Sequence, residues 1–178
     1  MIRRHPIQLY GAAVLEQPAA TVGVFGTMEL IDLLGDMFET MYASKGVGLA
    51  APQIGISKRI AVIDVSRKDP PDPSQQLVLI NPVVIHVDNA MDYSEEGCLS
   101  LPGFFSPVGR PSIVTIRAQN WQGEATEATG SGLLARAILH EIDHLDGKLF
   151  IEHCSPLRRE IIQSKIRRRR RLGQWATA

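Results

Sequence analysis

Apolar residues first recur at helical spacing between Thr27 and Ser44, where Leu30, Ile31, Leu34, Met37, Phe38, Met41 and Tyr42 fall on one face. That stripe predicts a core-packing helix, with Thr27 as its N-cap and Gly46 as its stop. Its methionines and aromatics are ordinary core filling and call for no cofactor. The pattern then shifts to Val- and Ile-rich runs: Arg59 to Ser66 (RIAVIDVS), Leu77 to Val87 (LVLINPVVIHV) and Ser112 to Ala118 read as strands. Between the first two, Lys68-Asp69-Pro70-Pro71-Asp72-Pro73-Ser74 reads as a polar surface loop, because its prolines remove backbone donors and favour turns. No segment repeats and none has the composition of a linker.

A second helix is expected from about Gly132 to Asp146, capped by Ser131 or Thr129 and ended by Gly147. Leu133, Leu134, Ala137, Ile138, Leu139, Ile142 and Leu145 make it apolar almost all round, the pattern of a buried helix. His140, Glu141, Asp143 and His144 interrupt that pattern. Polar groups on a buried helix are unfavourable unless each finds a partner, so this cluster needs a reason.

Composition narrows the classes. At 178 residues, 44% hydrophobic and 21% charged, the chain suits one globular domain, 1–178, and neither disorder nor a fibrous class. The formal charge of zero is unevenly spread: residues 158–171 hold eight basic residues against one acidic, and the rest of the chain is acidic by the same margin. No apolar run approaches the 18 or so residues of a membrane-spanning helix, so no membrane partner is expected. Gln8, Tyr10, Gly11, Glu16 and Gln17 break up the stretch after Arg3 and Arg4, which argues against a signal peptide. Two cysteines make no disulfide framework. A reduced, cytoplasmic protein is expected, in which an isolated Cys serves as ligand, nucleophile or core residue.

His140-Glu141-Ile142-Asp143-His144 has the spacing H-E-x-x-H. Two histidines at i and i+4 project from one helix face a turn apart, so both imidazoles can reach one ion about 2.0–2.1 Å away, and the Glu can address the ion's water. A catalytic site of this kind takes a third protein ligand and leaves a position for water. His5, His86, His153, Cys98, Cys154 and the carboxylates are candidates. A zincin-like metallopeptidase would draw on Glu152 or His153, downstream of the helix. Cys98 lies in Glu95-Glu96-Gly97-Cys98-Leu99-Ser100-Leu101-Pro102-Gly103, whose glycines and proline suit a fixed backbone that aims a side chain, although a lone Cys is commonly a small buried hydrophobe. A non-catalytic metal-binding module is the third class left open by spacing alone.

Three separated motifs bear on that choice: Gly46-Val47-Gly48-Leu49-Ala50-Ala51-Pro52-Gln53, Glu96-Gly97-Cys98-Leu99-Ser100, and His140-Glu141-Ile142-Asp143-His144-Leu145 followed by Gly147. In kind, order and separation they resemble those of the bacterial-type peptide deformylases, and the similarity runs from the first helix to the last. The resemblance implies removal of the formyl group from N-formylmethionyl peptides at the start of new polypeptides, with release of formate. It implies a metal held by Cys98, His140, His144 and one water, with Glu141 moving the proton, and donors to the oxyanion from the Gln53 side-chain amide and the Leu99 backbone N–H. Ferrous iron is implied in cells, with zinc, nickel or cobalt as substitutes. Gly46, Val47 and Gly48 would line the substrate cleft, the Gly48 backbone pairing with the extended peptide. Leu133 and Ala137 would wall the methionine pocket, with Arg136 at its rim.

Two positions depart from the family's habit: Leu139 stands where Gln is common, so packing is expected to replace a polar contact, and Phe105 stands where a polar or basic residue is common. Asp143 and Arg110 are a candidate ion pair behind the ligands, against the plainer expectation that Arg110 is a surface charge. Ser155-Pro156 starts a basic C-terminal helix of about 156–171, which, for a substrate emerging from a ribosome, is a candidate contact to ribosomal RNA. The order of elements predicts an α+β fold with strands around the helix that carries the histidines; antiparallel sheets flanked by N- and C-terminal helices follow from the resemblance.

Overall fold

The computed structural model describes residues 2–66 and 68–175. Helix α1 spans Met28–Ala43, and the Thr27 side chain accepts a hydrogen bond from the Leu30 amide at 3.2 Å, as the cap expectation required. The stop differs from expectation. Lys45, not Gly46, takes the left-handed turn (φ 57°), while the Gly46 amide closes onto the Met41 carbonyl.

Strands β1 (Gly48–Ala50), β2 (Ile60–Ile63), β3 (Leu77–Val87), β6 (Ile113–Gln119) and β7 (Ala125–Ser131) form an antiparallel sheet in the order β1-β2-β3-β6-β7. Helix α2, Leu133–Leu145, packs on one face and α1 on the other. Alternation along the strands serves both helices: Ala50, Ala61 and Ile63 join the α2 core, whereas Leu49, Ile60 and Val62 join the α1 core. The unbroken apolar run in β2 records a strand buried on both faces.

Strands β4 (Met91–Gly97) and β5 (Phe105–Pro111) pair as a separate two-stranded ribbon. Sequence periodicity did not predict β4, β5 or β7. In β4 the residues that turn inward are Asp92, Ser94 and Glu96, while Met91 and Tyr93 face out, so the usual apolar-in rule is inverted. The expected α2 caps also fail. Thr129 and Ser131 belong to β7, and Gly132 (φ 54°) occupies the cap position without a side-chain hydrogen bond. Helix α3, Pro156–Arg171, matches the expected basic helix and is capped by the Ser155 side chain. It buries Ile162 and Ile166 against Leu101, Phe104, Val108 and Phe150. The fold is α+β, as the order of elements predicted.

Candidate metal centre

Helix α2 presents His140, Glu141 and His144, all buried, toward the residue that follows the β4 strand, Cys98. The thiol and one nitrogen from each imidazole lie within 4.8 Å of one another, and Cys98 Sγ is 3.2 Å from His144 Nε2. Ligands bound tetrahedrally at 2.0–2.3 Å stand roughly 3.3–3.8 Å apart, so small side-chain adjustments suffice for one ion. Of the other sequence candidates, His153 bonds Asp143, His5 bonds Asp36, and the Cys154 thiol points at the Phe150 carbonyl. Among the described residues, Cys98, His140 and His144 form the one cluster with metal-ligating geometry.

A charged network holds these groups from behind. His140 Nδ1 sits 2.6 Å from Glu96 Oε1, which leaves Nε2 for a metal. Arg110 grips both oxygens of Glu96, at 2.7 and 3.1 Å, and reaches Asp143 at 2.7 Å with its remaining nitrogen. Arg136 adds bonds to Glu96, to the Val108 carbonyl and to Asp92. Arg110 is buried, so the ion-pair alternative describes it and the surface-charge alternative does not. Burial favours a neutral Glu96, but His140 and Arg110 outweigh it and hold the carboxyl well below the usual carboxylate range. Burial likewise works to raise the Cys98 thiol; the His144 and His140 imidazoles overcome it and bring the thiol down to about 5. Glu141 goes the other way. Burial pushes it up to about 7 against the pull of the two histidines, and its Oε2 has no hydrogen-bond partner among the described residues. A carboxyl near neutrality with a free oxygen suits proton transfer.

Cys98, His140 and Glu141 border a cleft of about 520 Å³ that is also lined by Gly46, Val47, Gly48, Gln53, Leu99, Leu133, Ala137 and Phe105, among others. Gly48 leaves room for the Glu141 carboxylate as it stands, because a Cβ there would meet that carboxylate. Gln53 is oriented by its own carbonyl, which accepts from the Ala50 amide at 2.8 Å; its Nε2 then points to Cys98 Sγ at 3.6 Å and Ser100 Oγ at 3.4 Å. Arg136 lines the cleft, but its guanidinium is committed to Glu96, Val108 and Asp92 behind the wall. Leu139 packs into the α2 core, consistent with packing in place of a polar contact. Sequence reasoning did not give a role to Glu96, whose signal was its place two residues before Cys98, nor to Asp92, for which no local signal exists; His153, a candidate third ligand by sequence, bonds Asp143 instead.

A family model described as polypeptide deformylase matches residues 4–160. Over 175 residues the chain is 54% identical to a peptide deformylase of Acidobacterium capsulatum, covering 98% of this chain and 99% of that one. The crystal structure of a peptide deformylase from Legionella pneumophila superposes with a TM-score of 0.85 at 41% identity, over 99% of each chain. That of a peptide deformylase from Synechococcus elongatus in complex with actinonin gives 0.83 at 39% identity, over 89% of this chain and 85% of the other.

Proposed function

The chain belongs to the polypeptide deformylase family, and from that premise we propose that Cys98, His140 and His144 hold one divalent metal ion beside Glu141 in the cleft where the formyl group is removed. The reaction is hydrolysis of the N-formyl group of formyl-methionyl peptides, with formate released. Neither a zincin-like peptidase nor a non-catalytic module is favoured, since the match spans nearly the whole chain. The observation that carries the site assignment is the convergence of one thiol and two imidazoles beside a buried, unpartnered carboxylate oxygen.

A divalent ion bound there supplies a Lewis acid and lowers the pKa of water toward neutrality. Glu141 takes the proton of the attacking water as its oxygen adds to the formyl carbon, then delivers it to the amine nitrogen as the C–N bond breaks. The Gln53 amide and the Leu99 backbone N–H donate to the oxygen that gains charge. Gly46, Val47 and Gly48 offer backbone to the extended peptide, while Leu133 and Ala137 wall the space for the methionine side chain. Arg136, in the cleft wall, braces Glu96 in this scheme. The soft thiolate admits iron or zinc, and ferrous iron is the proposed ion in cells, with zinc, nickel or cobalt as substitutes. Among the described residues no helix is long and apolar enough to cross a membrane, and a cytoplasmic site of action, with the chain working as one catalytic domain, is proposed.

The test is anaerobic incubation of metal-loaded protein with a formylated Met tripeptide, following formate, free amine and internal cleavage. Formate release that disappears in Glu141→Ala with metal content unchanged is expected; internal cleavage of an unformylated peptide would overturn the reading. Contact of α3 with ribosomal RNA is a second proposal. Arg169 and Arg170 turn back onto the Pro102 and Tyr10 carbonyls, so Lys165, Arg168 and Arg171, which make no side-chain bond among the described residues, would carry it. Reversing those three charges should weaken ribosome binding in a salt-dependent way, and unchanged binding would end the idea.

A further inference from the structure

We propose that the outer face of the β4–β5 ribbon is an apolar exit track for the substrate residues that follow the formylated methionine; the proposal rests on the deformylase reading above. The track starts inside the cleft. Cross-strand pairs descend from Gly97–Phe105 through Glu95–Pro107 and Tyr93–Gly109 to Met91–Pro111, and Gly97, Glu95 and Phe105 all line the cleft. Six residues of strand cover about 20 Å, enough for about six residues of extended peptide.

The face is unusual in what it exposes. Tyr93, Phe105 and Met91 are 75%, 53% and 48% exposed, while the same two strands turn Asp92, Ser94, Glu96 and Arg110 inward to the network that supports His140. Inward polarity is explained by the metal centre. Nothing in that centre explains an outward row of aromatic, methionine and proline side chains, and contiguous exposed apolar surface marks interaction sites. The row is also firmly built: a Cβ on Gly97 would come within 2.5 Å of the Phe105 ring, and one on Gly109 within 2.7 Å of the Tyr93 ring. Each ring therefore lies close over a glycine across the ribbon and keeps its other side for a ligand. Arg158 holds the Phe105 carbonyl at 2.8 Å. A chain leaving the cleft past Gly97 and Phe105 would run onto this surface, and ring faces accept apolar side chains without demanding a sequence. Glu95 is the one charge on the row, so acidic residues in the peptide are disfavoured.

The experiment compares kcat/KM for formyl-methionyl peptides of two to eight residues, with leucine, glycine or aspartate after the methionine. For leucine peptides a rise of about tenfold with length is expected, mainly through KM, with little rise for glycine and none for aspartate. Tyr93→Ser combined with Met91→Ser, both surface positions that leave the core intact, should lose most of that rise. The same rise in the variant as in the wild type, or an equal rise for all three peptide series, would overturn the track. Self-association that the double variant abolishes without changing the length dependence would instead assign the face to a second copy of the chain. No formate from any peptide would sink the deformylase reading itself, a result distinct from length-independent release.

Discussion

Helices α2 and α3 both carry charged residues along much of their length, yet α2 buries Arg136, His140, Glu141 and His144 whereas α3 buries only Ile162 and Ile166 and leaves its basic side chains at the surface. Around α2 most charges lean on one another: His140 on Glu96, Glu96 on Arg110 and Arg136, Arg110 on Asp143. In α3 the arginines that make contacts mostly cap carbonyls, at Phe105, Ile151 and Pro102, and Arg169 also lies 4.6 Å above the Phe104 ring. Removing one member of the first set strands its partners out of reach of water. Removing one of the second set exposes a group that water can satisfy.

Substitutions should separate the two helices by size of effect. Glu141→Ala is expected to lower formate release by roughly 10²–10⁴-fold with metal content unchanged, measured by kcat on a formyl-Met tripeptide and by elemental analysis. Arg110→Met should destabilise the fold by about 3–5 kcal/mol in urea unfolding, because Glu96 and Asp143 lose their buried partner. The same change should weaken metal binding about 10–100-fold through loosened His140. Gln53→Ala should raise the barrier by about 2.7–4 kcal/mol, seen in kcat, if its amide meets the oxyanion. At the other end, Arg169→Ala should cost about 1 kcal/mol or less in the same urea experiment, and Arg168→Ala less than about 0.5 kcal/mol. A cost for Arg168→Ala equal to that for Arg110→Met would erase the contrast.

Acid should act on the α2 network first. Glu96 and Asp143 are held below the ordinary carboxylate range, in each case because hydrogen bonds and opposite charges outweigh burial: His140 and Arg110 at Glu96, His153 and Arg110 at Asp143. Carboxyls depressed on folding contribute stability that is complete above their unfolded values and lost as pH falls through their folded ones. The urea midpoint should therefore fall in acid as these two carboxyls protonate, with the fall starting at higher pH in Arg110→Met. Metal release should run in the same direction, since protons compete for the Cys98 thiolate below about 5 and His140 is held well above its ordinary value by Cys98 and Glu96 despite its burial.

Spacing along a single helix was enough to pick out His140, Glu141 and His144, because i and i+4 share a face whatever the rest of the molecule does. The same locality made α1, β3 and the basic α3 readable, each being a run whose pattern matches its period. Gly48 was expected, from the resemblance, to line the cleft, but not to keep space for the Glu141 carboxylate. The β4–β5 ribbon escaped prediction for a physical reason: its inward face answers to Arg110, Arg136 and His140 and not to an apolar core, so polar and apolar positions are exchanged. Spacing left Cys98 as one candidate among several, and the neighbouring motif raised it. Only the tertiary structure brought its sulfur to 3.2 Å from His144 and turned Glu96 onto His140, since partners 44 and 46 residues apart are set by packing and leave no local periodicity in the chain.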